Sequence, residues 1–427
     1  YLYVMTQKLR GNVMMQILKI ALLLVVTMSA AHAEDIVEVG GKGATCIEDT
    51  HCINRIHPNI PMIATARPDQ TILFRTRDAS DILGTADSQT DQMNESGDDW
   101  HFGRVHPLTG PVHIEGAKAG DVLAFTIIKI RPGRHAYTEA GDYGFAFDLV
   151  GTDEFGVAWR LDDDFAVSDD LPGIKIPNRS FPGVVTTLPD RTNLVKMLTR
   201  EKALLNAGGT VSPPITDFAS PASVCGPDGT APDECLRTIP PREHGGNLDI
   251  RYLQSGVTIY LPCYIDGCGL AVGDLHYAQG DGEIAGTAIE MSADLWGKAE
   301  IIKNGPDLTN GPHFSGASSL LDIPSTRFYA VTGFPLKEKG STPPRLKYLG
   351  SAKVSDLENL SNDINLAARN ALDGIIDYIV ATYGYDRRHA YIIASVAVDL
   401  RIGQLVDSPN VGVTAILPLD IFERKTE

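Results

Sequence analysis

Residues 257–291, VTIYLPCYIDGCGLAVGDLHYAQGDGEIAGTAIEM, interrupt every apolar run within a few positions by a glycine, a proline or an aspartate. Such punctuation argues against a long helix, because glycine costs a helix interior ~1 kcal/mol and proline ~3 kcal/mol relative to alanine. It suits short strands joined by tight turns. The habit extends along the chain, whose 41 glycines and 26 prolines fall largely between short apolar runs. TILFRTR (71–77) and DVLAFTIIKI (121–130) alternate or run apolar, as strands do. A length of 427 residues, 43% of them hydrophobic, is enough for a sizeable core. The expectation is a mainly β protein.

Helical spacing is confined to a few places. DRTNLVKMLTREKALLN (190–206) reads as a helix with Asp190 as N-cap, and SNDINLAARNALDGIIDYIVATYG (361–384) as a helix stopped by Gly384. DRRHAYIIASVAVDL (386–400) is expected to form a further helix opened by Asp386, followed by two strands. Residues 57–305 are therefore assigned to mainly β domains, and 306–427 to an α+β C-terminal region. The polar segment 78–100 is expected to be a loop covering a site.

The first residues read as a targeting signal. Lys8, Arg10 and Lys19 precede the apolar IALLLVVTMSA (20–30), and Ala31-His32-Ala33 follows. A positive region, a short apolar run and an A-x-A site describe a secretory signal peptide. The run is short for a bilayer core of ~30 Å. Cleavage is expected after Ala33, leaving 34–56 as an exported leader and no stable membrane insertion. The protein is then periplasmic or extracellular. Export makes disulfides the favoured reading of the six cysteines, paired by proximity as Cys46–Cys52, Cys225–Cys235 and Cys263–Cys268. A net charge of −17 disfavours phosphate backbones and anionic membranes, so no nucleic-acid partner is expected.

The chemistry concentrates in GDLHYAQGDGE (273–283), which holds Asp274, His276, Asp281 and Glu283 among glycines. If GDLH ends a strand, Asp274 and His276 share a face. Such a pair is a metal-ligand set, a base with its orienting group, or a solvated turn. Upstream, RVHPLTGPVHIEGAKAGDVL (104–123) carries His106, His113 and Glu115, the last two on one strand face. PPREHGGNLDIRYL (240–253) places His244, Asn247 and Asp249 around a Gly-Gly turn, and Glu290 ends the otherwise apolar strand EIAGTAIEM. A carboxylate there is either exposed or matched to a cation, since burying it unpaired is costly. No G-x-S-x-G, GxxxxGK[ST], H-E-x-x-H or G-x-G-x-x-G after a strand occurs.

The blocks VHPLTGPVHIEGAKAGDVL, HGGNLDI, IYLPCYIDGCGLAVGDLHYAQGDGEIAGTAIEM and SVAVDLRIGQLVDSPNVGVTAILP together resemble the acetamidase/formamidase family. The resemblance implies β-sandwich and barrel-like domains, a homodimer or higher homo-oligomer, and hydrolysis of a small linear amide such as formamide or acetamide to ammonia and a carboxylate. It also implies a divalent metal, zinc, with calcium as a second ion. Carried onto this chain, it implies functional roles for His106, Glu115, Asn247, Asp249, Asp274, His276, Asp281, Glu283 and Glu290. We assign His276, Asp274 and His106 to the metal. Glu115, Glu290, Asp281 and Glu283 are the catalytic carboxylates, with Glu115 or Glu290 moving the proton. Asn247 and Asp249 bind or orient, and the acidic turn Asp281–Glu283 supports the ligands or holds the second cation. FPGVVTTLPDRTN (181–193) departs from the family's glycine-rich segment and is expected to line the substrate pocket. The alternatives are a secreted metal-containing β-sandwich binding protein without turnover, and a hydrolase of lactams or other cyclic amides.

Overall fold

The computed structural model describes residues 36–89, 101–141, 143, 153–170, 176–207, 209–279, 283, 285–321, 325–343, 352–385 and 398–422. The signal-peptide segment therefore lies outside the described residues. Among them, no helix is long and apolar enough to cross a membrane.

The architecture is mainly β, and one strand organises it. Cys268–His276 (CGLAVGDLH) is buried at every position. It pairs antiparallel with Phe181–Thr186 on one side. On the other it pairs first with Leu108–Ile114 and then, through Leu275 and His276, with Met291 and Glu290. Strands buried on both sides read as near-continuous apolar runs, so the Asp and His at this strand's end are exceptions that need partners. Glu290–Ile302 pairs in turn with the long strand Val122–Ala140 and with Thr71–Arg75. Phe74 and Phe125 meet edge to face in the core between them, centroids 5.8 Å apart.

Two boundaries read from sequence are crossed by strand pairing. Val37–Gly40, expected in a leader, adds as a parallel strand beside Thr71–Arg75, and Cys52–Ile53 pairs with Thr109 and Leu108. Its alternating apolar residues find an open strand edge, which is a better outcome than solvation. Thr258–Pro262 pairs with His313–Ala317, carrying the sheet past residue 305 into Arg327–Gly333 and Gly412–Pro418. The described residues from Val37 onward form one compact unit.

The helices follow their local signals. Arg191–Asn206 starts where the Asp190 side chain accepts from the Asn193 N–H. Ile364–Tyr383 ends at Gly384, whose φ of 75° places it in the left-handed region that glycine tolerates. It buries Ala371, Ile375 and Ile379 against Val331, Ala415 and Leu417 of the sheet. The further helix expected over 386–400 lies outside the described residues up to 397. Asp399 and Leu400 are not helical, and instead open the strand Asp399–Gln404. Leu400 and Ile402 lie exposed on that strand. The three cysteine pairs are bridged as expected, and none is free.

Candidate active site

Gly183 is the residue about which the site is built. It sits opposite Asp274, between the register pairs Pro182↔Leu275 and Val184↔Gly273. Its carbonyl accepts from the N–H groups of Leu248 (2.8 Å) and Asp249 (3.3 Å). A side chain there has no space, because a Cβ would fall 2.6 Å from Asp249 Oδ1 and 2.6 Å from Asp274 Oδ2. The glycine thus lets two strands deliver two carboxylates to one point. Asp249, Asp274 and Glu283 all have positive φ (47°, 55° and 44°). Such conformations cost a non-glycine residue ~1–3 kcal/mol and cluster at functional sites.

His276 lies at the centre. It faces Glu290 across the strand pair, with Nε2 3.2 Å from Glu290 Oε2, 3.5 Å from Asp274 Oδ1 and 4.0 Å from Glu283 Oε1. Its Nδ1 lies 2.9 Å from Gln279 Oε1. The Gln279 amide nitrogen donates to the Asp249 carbonyl at 3.1 Å, which leaves its oxygen to accept from Nδ1–H. The Nε2 atom is therefore the one left free, and it faces Glu290, Asp274 and Glu283, while Asp249 Oδ1 lies 3.9 Å from Nδ1. The Phe181 ring meets the imidazole edge to face at 5.0 Å. Glu290 is fixed from its other oxygen by the Ala288 N–H at 2.7 Å. It opens strand Glu290–Ile302, where sequence had placed it at a strand's end, and Ile289 just before it still exchanges backbone hydrogen bonds with Tyr277 and Ala278.

Asn247 donates to Asp407 Oδ2 at 3.0 Å, and Asp407 faces Asp249. His106, Asn247, Asp274, Glu283, Glu290 and Asp407 line one open cavity of ≈980 Å³. The turn carrying Asn247 is braced from behind by two buried ion pairs from helix Arg191–Asn206, Arg200 with Glu243 and Glu201 with Arg242.

The electrostatics are unbalanced. Asp249, Asp274, Glu283, Glu290 and Asp407 are all buried, against the imidazoles of His106 and His276. No Lys or Arg lines the cavity among the described residues. Burial pushes Asp249, Glu283 and Asp407 well above the usual carboxylate range, and neighbouring carboxylates add to the shift for each. Burial also raises Glu290. Asp274 runs the other way: burial is outweighed by His106 and His276, which hold it at about 2. Burial alone would depress His276, but Glu290 and Asp274 hold it well above its ordinary value. Burial lowers His106.

These groups suit a cation. Asp274, His276 and Glu290, and separately Asp249, His276 and Glu283, each offer donor atoms within 4.8 Å of one another. His106 Nδ1 and Asn247 Oδ1 find no hydrogen-bond partner among the described residues. A histidine whose second nitrogen is tied by a hydrogen bond, as His276 is by Gln279, is the usual form of a metal-ligating imidazole.

Seven of the nine expected site residues thus converge: His106, Asn247, Asp249, Asp274, His276, Glu283 and Glu290. Asp281 lies outside the described residues. Glu115 does not converge and is corrected here. It is exposed just past strand Leu108–Ile114, at the Cys268 end of the central strand, while His276 is at the other. Nine residues at ~3.3 Å each put it ~30 Å away. Sharing a strand face with His113 said nothing about which end of the sheet that face occupied. His244 is also outside the cavity, bonded to Thr186 Oγ1 at 2.7 Å. The FPGVVT strand does not line the cavity; it backs the site through Gly183. Of the covering loop, Ala79 and Ser80 line the cavity, while 90–100 lie outside the described residues. Asp407, Gln279 and Gly183 were not singled out from sequence. Each sits in an ordinary-looking turn or strand, and only its contacts mark it.

A family model described as the acetamidase/formamidase family matches residues 42–424. The chain is 31% identical over 396 residues to a formamidase of Methylophilus methylotrophus, covering 88% of this chain and 90% of that protein. It is 31% identical over 372 residues to an acetamidase of Mycolicibacterium smegmatis, covering 80% and 84%. Among solved structures, an acetamidase from Bacillus halodurans superposes with a TM-score of 0.64 at 21% identity, covering 92% of this chain and 100% of that one. A gamma lactamase from Delftia acidovorans superposes with a TM-score of 0.59 at 28% identity, covering 89% and 91%.

Proposed function

The chain belongs to the acetamidase/formamidase family and is an amidase; from that premise we propose that it hydrolyses the C–N bond of a linear primary amide, with a divalent cation at His276. The observation carrying the metal reading is the surplus of buried carboxylates around one imidazole whose free nitrogen faces them. An isolated buried charge is expensive unless it is paired or binds a metal. Asp274 and His276, with His106 nearby, would hold a zinc ion. The oxygen-rich side formed by Asp249, Glu283, Asp407 and Asn247 suits a second, harder ion such as calcium. When bound, the first ion would supply an activated water and polarise the amide carbonyl.

The chain's own residues do the rest. Gln279 holds the His276 ring in one orientation. Glu290 has one oxygen anchored by the Ala288 N–H and the other turned to the site, which fits it to take a proton from the attacking water and deliver it to the leaving nitrogen. Glu115, ~30 Å away, has no part in that step. Asn247, held by Asp407, presents its side chain at the cavity wall to orient the amide.

Elemental analysis of the purified protein, beside ammonia release with and without chelator, tests this reading. Retention of both metal and rate in His276→Ala would sink it. The gamma lactamase likeness favours a second reading, ring opening of a cyclic amide, which mass spectrometry of the product separates because no ammonia leaves. The alternative of a binding protein without turnover gives way to the named amidases that match over most of the chain.

We also propose export with cleavage after Ala33, supported by three disulfides in the folded chain. The N-terminal sequence of the mature protein tests it. A homo-oligomeric state, tested by light scattering, completes the proposal.

A further inference from the structure

The site opens into more space than a formamide or acetamide fills. Acetamide has four heavy atoms and occupies roughly 100 Å³, taking ~30 Å³ of liquid volume for a water-sized group. The cavity is ≈980 Å³. That is the range of pockets that enclose ligands of twenty or more heavy atoms, up to ~1,000 Å³.

Its walls divide by chemistry. His106, Asp274, Glu283, Glu290 and Asp407 form its buried, polar part. Beside them stand apolar side chains that the core leaves partly uncovered: Val105, Ile239, Ile364 and Leu405 are half-buried, and Phe102 is 48% exposed. Two of these adjoin site residues in sequence, Val105 next to His106 and Leu405 two before Asp407, so the apolar wall starts at the reacting end. Phe102 is held in place by the Arg237 guanidinium stacked on it at 4.4 Å. Glu139 and Glu154, both less buried, also line the cavity. With no Lys or Arg among the described lining residues, an anionic acyl group meets no cationic side chain there, and Glu139 and Glu154, which lie outside the proposed cation site, oppose it.

Resting on the amidase reading, we infer that the preferred substrate is an uncharged amide with a bulky apolar acyl group, with formamide and acetamide as poor substrates and carboxylate-bearing amides excluded. Binding energy from a remote apolar group raises kcat/KM when it positions the amide. Each added methylene that is buried strengthens binding roughly fourfold.

The test is ammonia release by the metal-loaded protein from formamide, acetamide, pentanamide, hexanamide, phenylacetamide and succinamate. The expected result is kcat/KM for hexanamide and phenylacetamide at least tenfold above acetamide, and for succinamate at least tenfold below pentanamide. In Ile239→Trp, which fills the apolar wall, the hexanamide-to-acetamide ratio falls at least fivefold. Acetamide turned over as well as hexanamide would overturn the size inference and leave the amidase reading standing. Succinamate equal to pentanamide would overturn the charge exclusion. No ammonia from any of the six would bring down the amidase reading and this inference together.

Discussion

A side chain on Gly183 would collide with the Asp274 carboxylate: its Cβ would fall 2.6 Å from Asp274 Oδ2. The two residues face each other across an antiparallel pair, and the space of one methyl group decides whether the site forms. Gly183→Ala is expected to displace Asp274 and Asp249 together. An ångström of misplacement can cost ~10²-fold in rate, and the overpacking costs about 1–3 kcal/mol of stability. Steady-state kinetics with metal content would check it, and an unchanged kcat/KM in a folded variant would show that the cradle does not matter.

Asp407 and Glu115 make a contrasting pair. Asp407→Ala removes the acceptor of the Asn247 amide and one cavity carboxylate, and is expected to lower kcat/KM by roughly ten- to a hundredfold, the size of effect seen when groups supporting a site are removed. Glu115→Gln changes an exposed group at the far end of the sheet and is expected to leave kcat/KM within about twofold, as surface changes usually do. Rates of the two variants measured side by side decide. A large loss in Glu115→Gln would contradict its placement at the far end of the sheet.

His313 gives a pH-dependent stability. Burial holds its pKa at about 3, well below the 6.5 of an ordinary imidazole, with Asp307 opposing the shift. The ring is bonded to the Tyr329 hydroxyl. The unfolded chain therefore binds a proton below pH 6.5 that the folded one does not, so stability is full above 6.5 and falls as pH drops toward 3. His313→Gln removes this titration. The gap in unfolding free energy between wild type and variant is expected to shrink by about 2–3 kcal/mol between pH 7 and pH 4.5, at ~1.4 kcal/mol per pH unit. Urea melts at the two pH values measure it; a gap that stays constant would show the imidazole to be accessible to protons.

Glu201 and Arg242 test the bracing of the Asn247 turn. Both are buried, with Arg242 Nε 2.7 Å from Glu201 Oε1. Glu201→Ala leaves a buried guanidinium without its carboxylate, which typically costs 3–5 kcal/mol. Thermal unfolding is expected to show that loss. Restoration of stability by the double change Glu201→Leu with Arg242→Met, with KM for the amide still raised, would separate the turn's positioning from its stability.

The sequence alone determined what is local or periodic. Strand and helix types follow from apolar spacing and glycine punctuation, as the caps at Asp190 and Gly384 bear out. The disulfides join cysteines at most ten positions apart, so proximity sufficed. His276, Asp274 and Glu290 were legible because each is an ionisable group inside an apolar run, which a buried strand tolerates only with partners. Only the tertiary structure could decide which ends of which strands meet. His106 and Glu115, nine positions apart, flank the single strand Leu108–Ile114, so that strand carries them to opposite ends of the sheet, and only the pairing shows which end holds the site. The same assembly brings Gly183, Asn247, Asp274, Gln279 and Asp407 together from four separate segments. Their roles rest on contacts between distant strands, and no residue carries such a contact in its local sequence.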